Sequence, residues 1–400
     1  MPQQTESKSG GPRAWRKAKA KSRGEPAKPC AIVARPIPVC VSVPTDWNRS
    51  QALIHPSCTQ PEDHTVPHPV SRRPAGSLVG LLAALSFALA SLVSPLASAQ
   101  DKVTFLTSWF AQAEHGGFYQ AVATGLYKKH GLDVSIKMGG PQVNGLQLLT
   151  AGQTEFLMSY DFSVLKAIEQ GLPVVTVGTS FQKDLQGLMS YEDVANLASL
   201  KGKTILVATA GRSSWWPWLK TKYNLTEEQT RPYTFNLQPF LADKNTVQQA
   251  YLSSEPLAAQ KQGAKVRFHL FADDGFPPYG TTIVTLQRLV KEKPDMVGRF
   301  VRASIEGWKS YFADPAPANA MIKKDNPNMT DEQIAYAIAK LKETKVLTGG
   351  DAEKMGIGII TDARWKRTYD TMVGNGLLKA DVDFRQAYTT QFVRDLKVMP

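Results

Sequence analysis

Cysteine is scarce in this 400-residue chain, and its three copies, Cys30, Cys40 and Cys58, all precede residue 100. The rest of the chain therefore offers no disulfide, no thiolate nucleophile and no cysteine ligand for a metal. A cysteine-free chain suits an oxidising compartment, where stray thiols would pair wrongly.

Motifs of common catalytic and nucleotide-binding sites are also missing. The sequence has no Gly-x-Ser-x-Gly nucleophile elbow, no Walker loop and no Gly-x-Gly-x-x-Gly after a strand. Its six histidines are scattered, without the spacing of a zinc site. We therefore expect a protein without enzymatic activity, cofactor or metal, although sequence alone does not exclude a Ser-His-Asp triad.

A dense basic stripe is lacking as well. The formal net charge is +12, but residues 1–99 hold 12 Lys+Arg against 5 Asp+Glu, and the remainder holds 35 against 30. The later part of the chain therefore has an ordinary charge balance, and we expect no nucleic-acid partner.

Residues 71–99 have the pattern of a secretory signal peptide. Arg72 and Arg73 precede an apolar run that ends in Ala97-Ser98-Ala99, a small-x-small cleavage site. A membrane anchor is the alternative because the run approaches spanning length. We expect cleavage after Ala99 and a periplasmic protein, with Sec or Tat export left open.

The segment before the signal, residues 1–70, is rich in Pro, Lys and Ser and has no sustained apolar period. Such a composition predicts disorder. A signal peptide normally begins at the N-terminus, so the segment is either disordered or a mis-annotated extension before a start codon near Val70.

From Val103 onward, short apolar runs alternate with amphipathic stretches, and the pattern occurs twice. It predicts right-handed βαβ units in two doubly wound α/β lobes with parallel sheets, a hinge and a helical C-terminal tail. We expect lobe 1 at 101–192 plus 282–400 and lobe 2 at 193–281, with crossings near 190–200 and 275–285 and a ligand cleft between them. Predicted strands cover 103–106, 132–137, 155–159, 173–179, 203–208, 233–237, 265–271 and 281–286, and predicted helices cover 118–130, 145–151, 161–170, 215–223, 296–312, 317–324, 330–343 and 362–375.

The loop after the first strand carries one group of candidate ligand contacts. Trp109 is predicted to stack on a planar ring, with core packing as the alternative. Glu114 and His115 precede a helix start, and Gly116 is expected to let backbone amides approach the ligand. For His115, a hydrogen bond is favoured over metal ligation because no His or Cys lies nearby.

The second lobe carries a matching group, Gly211 to Trp216, between a strand and a helix. Arg212, Ser213 and Ser214 with free amides are predicted to hold a carboxylate, sulfonate or phosphate. One of Trp215 and Trp216 is expected to pack inward and the other to stack on the ligand, and we take Trp215 as the ligand contact.

Four more candidates adjoin strand ends or the hinge. Tyr160 and Asp161 follow the third strand, where Asp161 is either a ligand acceptor or only a helix cap. Glu255 either accepts ligand N–H groups or complements the helix dipole. Tyr279, near the return crossing, either closes over a ring or packs a turn.

Several motifs carry a family resemblance over about residues 102–390. Ser108-Trp109-Phe110, the stretch from Glu114 to Tyr119 and the stretch from Gly125 to Val134 resemble the opening of nitrate/sulfonate/taurine-type periplasmic solute-binding proteins. The phrase from Gln249 to Pro256 resembles the motif of their second lobe. The nearest resemblance is to the SsuA/THI5-like (NMT1) subgroup, which includes binding proteins for thiamine pyrimidine precursors and the fungal pyrimidine synthase.

The resemblance implies a type II periplasmic-binding-protein fold and delivery of a small ligand to an inner-membrane ABC permease with its ATPase. We expect a monomer that captures a planar, pyrimidine-like heterocycle or a sulfonate or other anion. One alternative is an enzyme like the pyrimidine synthase, which depends on pyridoxal phosphate and a cysteine-rich motif; Lys166 or Lys183 would then be nominated. Another is a sensor that uses the same fold without transport.

Overall fold

The computed structural model describes residues 100–276 and 278–400, so the predictions for residues 1–99 lie outside the described residues. Two five-stranded sheets form the framework. The strands are β1 (Asp101–Leu106), β2 (Leu132–Lys137), β3 (Phe156–Ser159), β4 (Val174–Phe181), β5 (Gln186–Tyr191), β6 (Thr204–Val207), β7 (Thr230–Pro232), β8 (Thr246–Tyr251), β9 (Val266–Leu270) and β10 (Gly280–Leu286).

Helices connect and cover these strands, and in the described part of the chain five short 3₁₀ turns join them, at Ala113–His115, Leu197–Leu200, Glu227–Gln229, Phe271–Asp274 and Phe384–Ala387. Over the described residues, every helix is too short or too polar to cross a bilayer. The α-helices are α1 (Gly116–Ala123), α2 (Leu126–Lys129), α3 (Gly145–Thr150), α4 (Asp161–Glu169), α5 (Thr209–Arg212), α6 (Trp215–Tyr223), α7 (Gln238–Ala242), α8 (Glu255–Lys261), α9 (Gln287–Glu292), α10 (Pro294–Ala313), α11 (Ala316–Asp325), α12 (Asp331–Glu343), α13 (Ala352–Met355) and α14 (Asp362–Gly374).

The first sheet has the strand order β2-β1-β3-β10-β4. Strand β1 runs parallel to β2 and β3, whereas β10 runs antiparallel to β3 and β4. The sheet is therefore mixed rather than parallel as predicted, because β10 enters it from the second sheet and runs the opposite way.

The second sheet has the order β7-β6-β8-β5-β9. Strand β6 is parallel to β7 and β8, while β5 is antiparallel to β8 and β9. Because β4 ends at Phe181 and β5 starts at Gln186, the chain first crosses between the sheets at 182–185, and the prediction of 190–200 was wrong. The return crossing lies between β9, which ends at Leu270, and β10, which begins at Gly280.

Two predicted elements differ from the structure for local reasons. The strand expected over 233–237 is absent from the described chain there; β7 ends at Pro232 and Phe235 has a positive φ of 62°. The helix expected over 118–130 is divided, since Gly125 adopts a φ of 74° between α1 and α2.

Close packing of α10 against α1 fixes the turn that precedes α1. A Cβ on Gly117 would lie 2.2 Å from the ring of Trp308, and one on Gly307 would lie 2.3 Å from the Gly117 carbonyl oxygen. Only glycine allows this approach. The 3₁₀ turn with Glu114 and His115 is thereby held at the edge of the first sheet.

Candidate functional site

A cavity lies between the two sheets, and both contribute to its wall. Its free volume is about 50 Å³, far below the several hundred Å³ of typical small-molecule sites. The two halves contact each other across it, since the Ser253 hydroxyl donates to Glu114 and the Trp109 ring stacks on Tyr233. The first half contributes Ser108, Trp109, Gln112, Glu114, His115, Met158, Tyr160 and Thr281, and the second contributes Gln186, Ala210, Gly211, Ser214, Trp215, Gln249, Ala250, Tyr251 and Glu255.

Aromatic rings form one side of this cleft. Trp109, in the loop after β1, stacks on Tyr233 of the second half, with ring centroids 6.0 Å apart and an interplanar angle of 17°. Phe235 meets the Trp109 ring edge-on at 5.8 Å. Trp109 thus contacts the opposite half directly.

Glu114 is a buried carboxyl with one oxygen free of any partner. The Ser253 hydroxyl donates to its Oε1, while Oε2 has no hydrogen-bond partner among the described residues. Burial raises the pKa of Glu114 to about 7; the Ser253 hydrogen bond acts against this and nearby Glu255 reinforces it. Glu114 therefore exchanges a proton near neutral pH.

Glu255, at the start of α8, is held by two donors from its own half. The Tyr233 hydroxyl donates to Oε1 at 2.6 Å, and the Tyr251 backbone N–H donates to Oε2 at 2.8 Å. Burial raises the pKa of Glu255 despite these bonds. Glu255 and Pro256 thus begin α8, and Glu255 lines the cleft.

The cleft also contains several buried polar atoms without partners. They are Gln112 Oε1, His115 Nδ1, Trp215 Nε1 and Thr281 Oγ1, in addition to Glu114 Oε2. Burial lowers the pKa of His115 to about 3, so its ring is neutral at physiological pH. Buried polar groups in native proteins are nearly always paired, so this set is suited to a ligand that supplies both donors and acceptors.

The charged side chains that line the described cleft are acidic. Among the described residues that line it there are two glutamates and no lysine or arginine. The predicted cation Arg212 faces elsewhere: its Nη1 donates to Thr230 Oγ1 at 3.0 Å and lies 3.8 Å from Glu227. No group of three or more His, Cys, Asp or Glu in the described ranges is arranged to hold a metal ion.

Seven of the twelve predicted site residues meet at this cavity: Trp109, Glu114, His115, Tyr160, Ser214, Trp215 and Glu255. Ser213 lines a neighbouring cavity that shares Tyr160. Gly116 does not approach the cleft, because a Cβ there would lie 2.1 Å from the ring of Tyr311. The glycine serves helix packing instead.

Asp161 and Tyr279 also lie away from the cleft and bind each other. The fully buried Asp161 carboxylate accepts hydrogen bonds from the Tyr279 N–H at 3.1 Å and from the Thr368 hydroxyl at 2.9 Å. The guanidinium of Arg364 covers the Tyr279 ring, 4.4 Å from its centroid. This pair fastens the return crossing to α14.

Sequence reasoning missed the glutamines of the cleft. Gln186 and Gln249 lie on β5 and β8, two strands that were not predicted because their residues are too polar to give an apolar run. Gln112 lies in the loop before the first 3₁₀ turn. The adjacent glutamines 248 and 249 in a buried strand were the available signal.

Two relatives named as binding proteins align with most of this chain. The chain is 28% identical to riboflavin-binding protein RibY of Chloroflexus aurantiacus, over 76% of this chain and 91% of that protein. It is 25% identical to a formylaminopyrimidine-binding protein of Halalkalibacterium halodurans, over 69% and 89%. A 4-amino-5-hydroxymethyl-2-methylpyrimidine phosphate synthase of Aspergillus parasiticus is 28% identical, over only 26% and 32%.

Solved structures show the same fold at low sequence identity. The ligand-binding component of an ABC-type import system from Staphylococcus aureus superposes with a TM-score of 0.55, at 9% identity, over 74% of this chain and 99% of that one. The periplasmic aliphatic sulphonate-binding protein SsuA from Escherichia coli gives 0.52, at 17% identity, over 72% and 96%. The fold is the two-lobe α/β type II periplasmic-binding-protein fold, as predicted.

The family comparison covers just over half of the chain. The profile described as NMT1/THI5 like matches residues 112–318. This range runs from the cleft loop of the first lobe, through the second lobe, into α11. The chain belongs to the NMT1/THI5-like family.

Proposed function

We propose that this protein is the solute-binding component of an ABC importer, and that it captures an uncharged or protonated planar nitrogen heterocycle between its lobes. The observation that carries the proposal is the cleft itself: aromatic rings, two carboxyl groups, unpartnered donors and acceptors, and no lysine or arginine in the described lining. Two relatives named for heterocyclic ligands, a flavin and a formylaminopyrimidine, support the same class.

The charge of the cleft favours a heterocycle over a sulfonate. An anion would be desolvated next to Glu114 and Glu255 without a compensating cation, which costs several kcal/mol. A ring N–H or exocyclic amine instead donates to the free Oε2 of Glu114, and ring acceptors pair with the Trp215 N–H.

Capture requires the lobes to part and close again. In this conformation Trp109 of the first half stacks on Tyr233 of the second, and the Ser253 hydroxyl donates to Glu114, so these contacts must open before a ring enters. A ligand that contacts both lobes shifts the population toward the closed form by its differential affinity for that form. We place each sheet in one lobe, with the chain segments at 182–185 and before β10 as the hinge.

A binding role rather than catalysis is part of the proposal, together with periplasmic location and a membrane permease as partner. Both relatives that cover most of this chain bear the names of binding proteins, whereas the synthases align over about a quarter of it. The three cysteines of the chain also lie outside residues 100–400.

A thermal-shift and calorimetry panel tests the ligand class. Formylaminopyrimidine and riboflavin are compared with taurine and longer alkanesulfonates on the purified protein. A true ligand raises the melting temperature by mass action, so at least one heterocycle is expected to do so and the sulfonates are not. Binding of sulfonates without any heterocycle would overturn the proposal.

A pair of tryptophan variants locates the binding. Trp215→Phe removes the unpartnered N–H but keeps an aromatic ring, and it is expected to weaken heterocycle binding about fivefold to tenfold. Trp308→Phe removes an equally buried, equally unpartnered N–H from α10, outside the cleft, and is expected to leave affinity unchanged. Equal losses in both variants would contradict the assignment.

A further inference from the structure

A second cavity lies behind the aromatic side of the cleft, with a volume of about 400 Å³. We call it the rear cavity. It shares Glu255 with the cleft, and Tyr233 and Phe235 line it as well. Glu255 and the Tyr233 ring therefore separate two spaces, the smaller of which is the cleft.

The rear cavity, like the cleft, lies between the lobes, because Met329 and Gln333, which follow β10, line it together with Gln248 of the second lobe. Trp109 comes from the first lobe and Tyr233 from the second, and they stack on each other. When the lobes part, this contact opens while Tyr233 and Glu255 stay hydrogen-bonded to each other in the second lobe, so a ligand reaches both spaces by extending over Glu255. Phe235, which packs against Trp109, has a φ of 62°, a strained value for an aromatic residue and one often found at functional sites.

The rear cavity contains the clearest unsatisfied polar side chain of the second lobe. Gln248, on β8, is fully buried, and both its Nε2 and its Oε1 have no hydrogen-bond partner among the described residues. Buried amides in native proteins are nearly always hydrogen-bonded, because an unpaired one destabilises the folded state. The two unpaired groups of Gln248 therefore indicate an occupant that both donates and accepts hydrogen bonds.

The remaining lining indicates that this occupant is uncharged. Gln262 and Asn328 add further amides to the wall. The one lysine there, Lys261, is paired with Glu332, and Glu255 already accepts from Tyr233 and Tyr251. Hydroxyl groups, which donate and accept at once, match such a set of amides better than a phosphate or carboxylate does.

Resting on the function proposed above, we propose that the rear cavity is a second subsite, which takes a hydroxyl-bearing, uncharged tail of a ligand whose planar ring lies in the cleft. The ligand class is then a ring with a polyol substituent, larger than a lone pyrimidine. Gln248 is a specificity-determining residue for the tail and does not touch the ring.

A matched pair of probes tests the subsite by titration calorimetry. Riboflavin carries a polyol tail, and lumiflavin has the same ring with a methyl group in its place. The wild-type protein is expected to bind riboflavin at least about tenfold more tightly, the value of one or two added hydrogen bonds. Equal affinities, or tighter binding of lumiflavin, would overturn the subsite.

Two variants assign the effect to Gln248. Gln248→Leu replaces an unpartnered amide by an apolar group of similar size, so the variant is expected to fold. It should lower riboflavin affinity to near that of lumiflavin and leave lumiflavin binding unchanged. Gln120→Leu, at another buried glutamine outside both cavities and outside the hinge, should retain the preference for riboflavin.

The outcomes separate the subsite from the proposed function. If Gln248→Leu weakens both flavins equally, the subsite is refuted while ring binding stands. If neither flavin binds but a formylaminopyrimidine does, the subsite again fails and the cleft keeps its role. If no heterocycle binds at all, both proposals fall.

Discussion

The pH dependence of stability offers a sharp test of the cleft carboxyl Glu114. Burial raises its pKa from 4.5 to about 7 in the folded protein. The folded state therefore keeps this proton to higher pH than the unfolded state does. The stabilisation that results is complete below the unfolded pKa and is lost as pH rises through about 7.

The size of the effect follows from the shift. A rise of the pKa by between two and three pH units adds about 3 kcal/mol to the free energy of unfolding. Roughly 2–3 kcal/mol of this is lost between pH 5 and pH 8. Glu114→Gln keeps the oxygen that accepts from Ser253 but removes the titration. The wild-type protein should therefore lose about 2–3 kcal/mol more than the variant over that range.

Urea unfolding at a series of pH values measures this difference directly. Asp184 and Asp161, whose pKa values burial raises to about 7 and about 6, titrate in both proteins and so cancel in the comparison. The reasoning would be refuted if the free energy of unfolding changed in parallel for wild type and variant from pH 5 to pH 8. That result would show that Glu114 is ionised and solvated in the folded state.

Two further substitutions test residues that the structure removes from the cleft. Gly116→Ala places a methyl group 2.1 Å from the Tyr311 ring and should lower the free energy of unfolding by about 1–3 kcal/mol, whereas Gly374→Ala, with nothing within 4 Å, should be neutral or slightly stabilising in urea melts. Arg212→Ala removes the side-chain contacts with Thr230 and Glu227, so calorimetry should find a heterocycle affinity within about twofold of wild type. A loss of affinity of tenfold or more would show that Arg212 contacts the ligand.

The sequence allowed the fold class and much of the cleft to be predicted because both depend on local pattern. Alternating strands and helices indicate α/β lobes, and loops that follow strands carry ligand contacts. Trp109 and Glu114 were predicted in this way, whereas Glu255 was predicted from its place before Pro256 at a helix start and from the family resemblance. The strand β5 was missed because its polar neighbours hide the alternation, and the first crossing was placed too late as a result.

Residues that lie away from the cleft could not be assigned from local pattern. Asp161 follows a strand and begins a helix as a ligand-binding residue would, yet besides the adjacent Phe162 its partners are Tyr279 and Thr368, 118 and 207 positions away. Arg212 follows β6, but its side-chain direction depends on Thr230 and Glu227. Such long-range contacts are invisible in a single sequence.

The central claim, that two lobes close over a heterocycle, is tested most directly by the distance between the lobes. Spin labels at Lys129→Cys and Lys201→Cys, exposed residues beside the first and second sheets, report it once the three native cysteines are replaced by serine. A saturating heterocycle is expected to convert a broad distance distribution into one narrow, shorter population. Identical distributions with and without bound ligand would contradict the account.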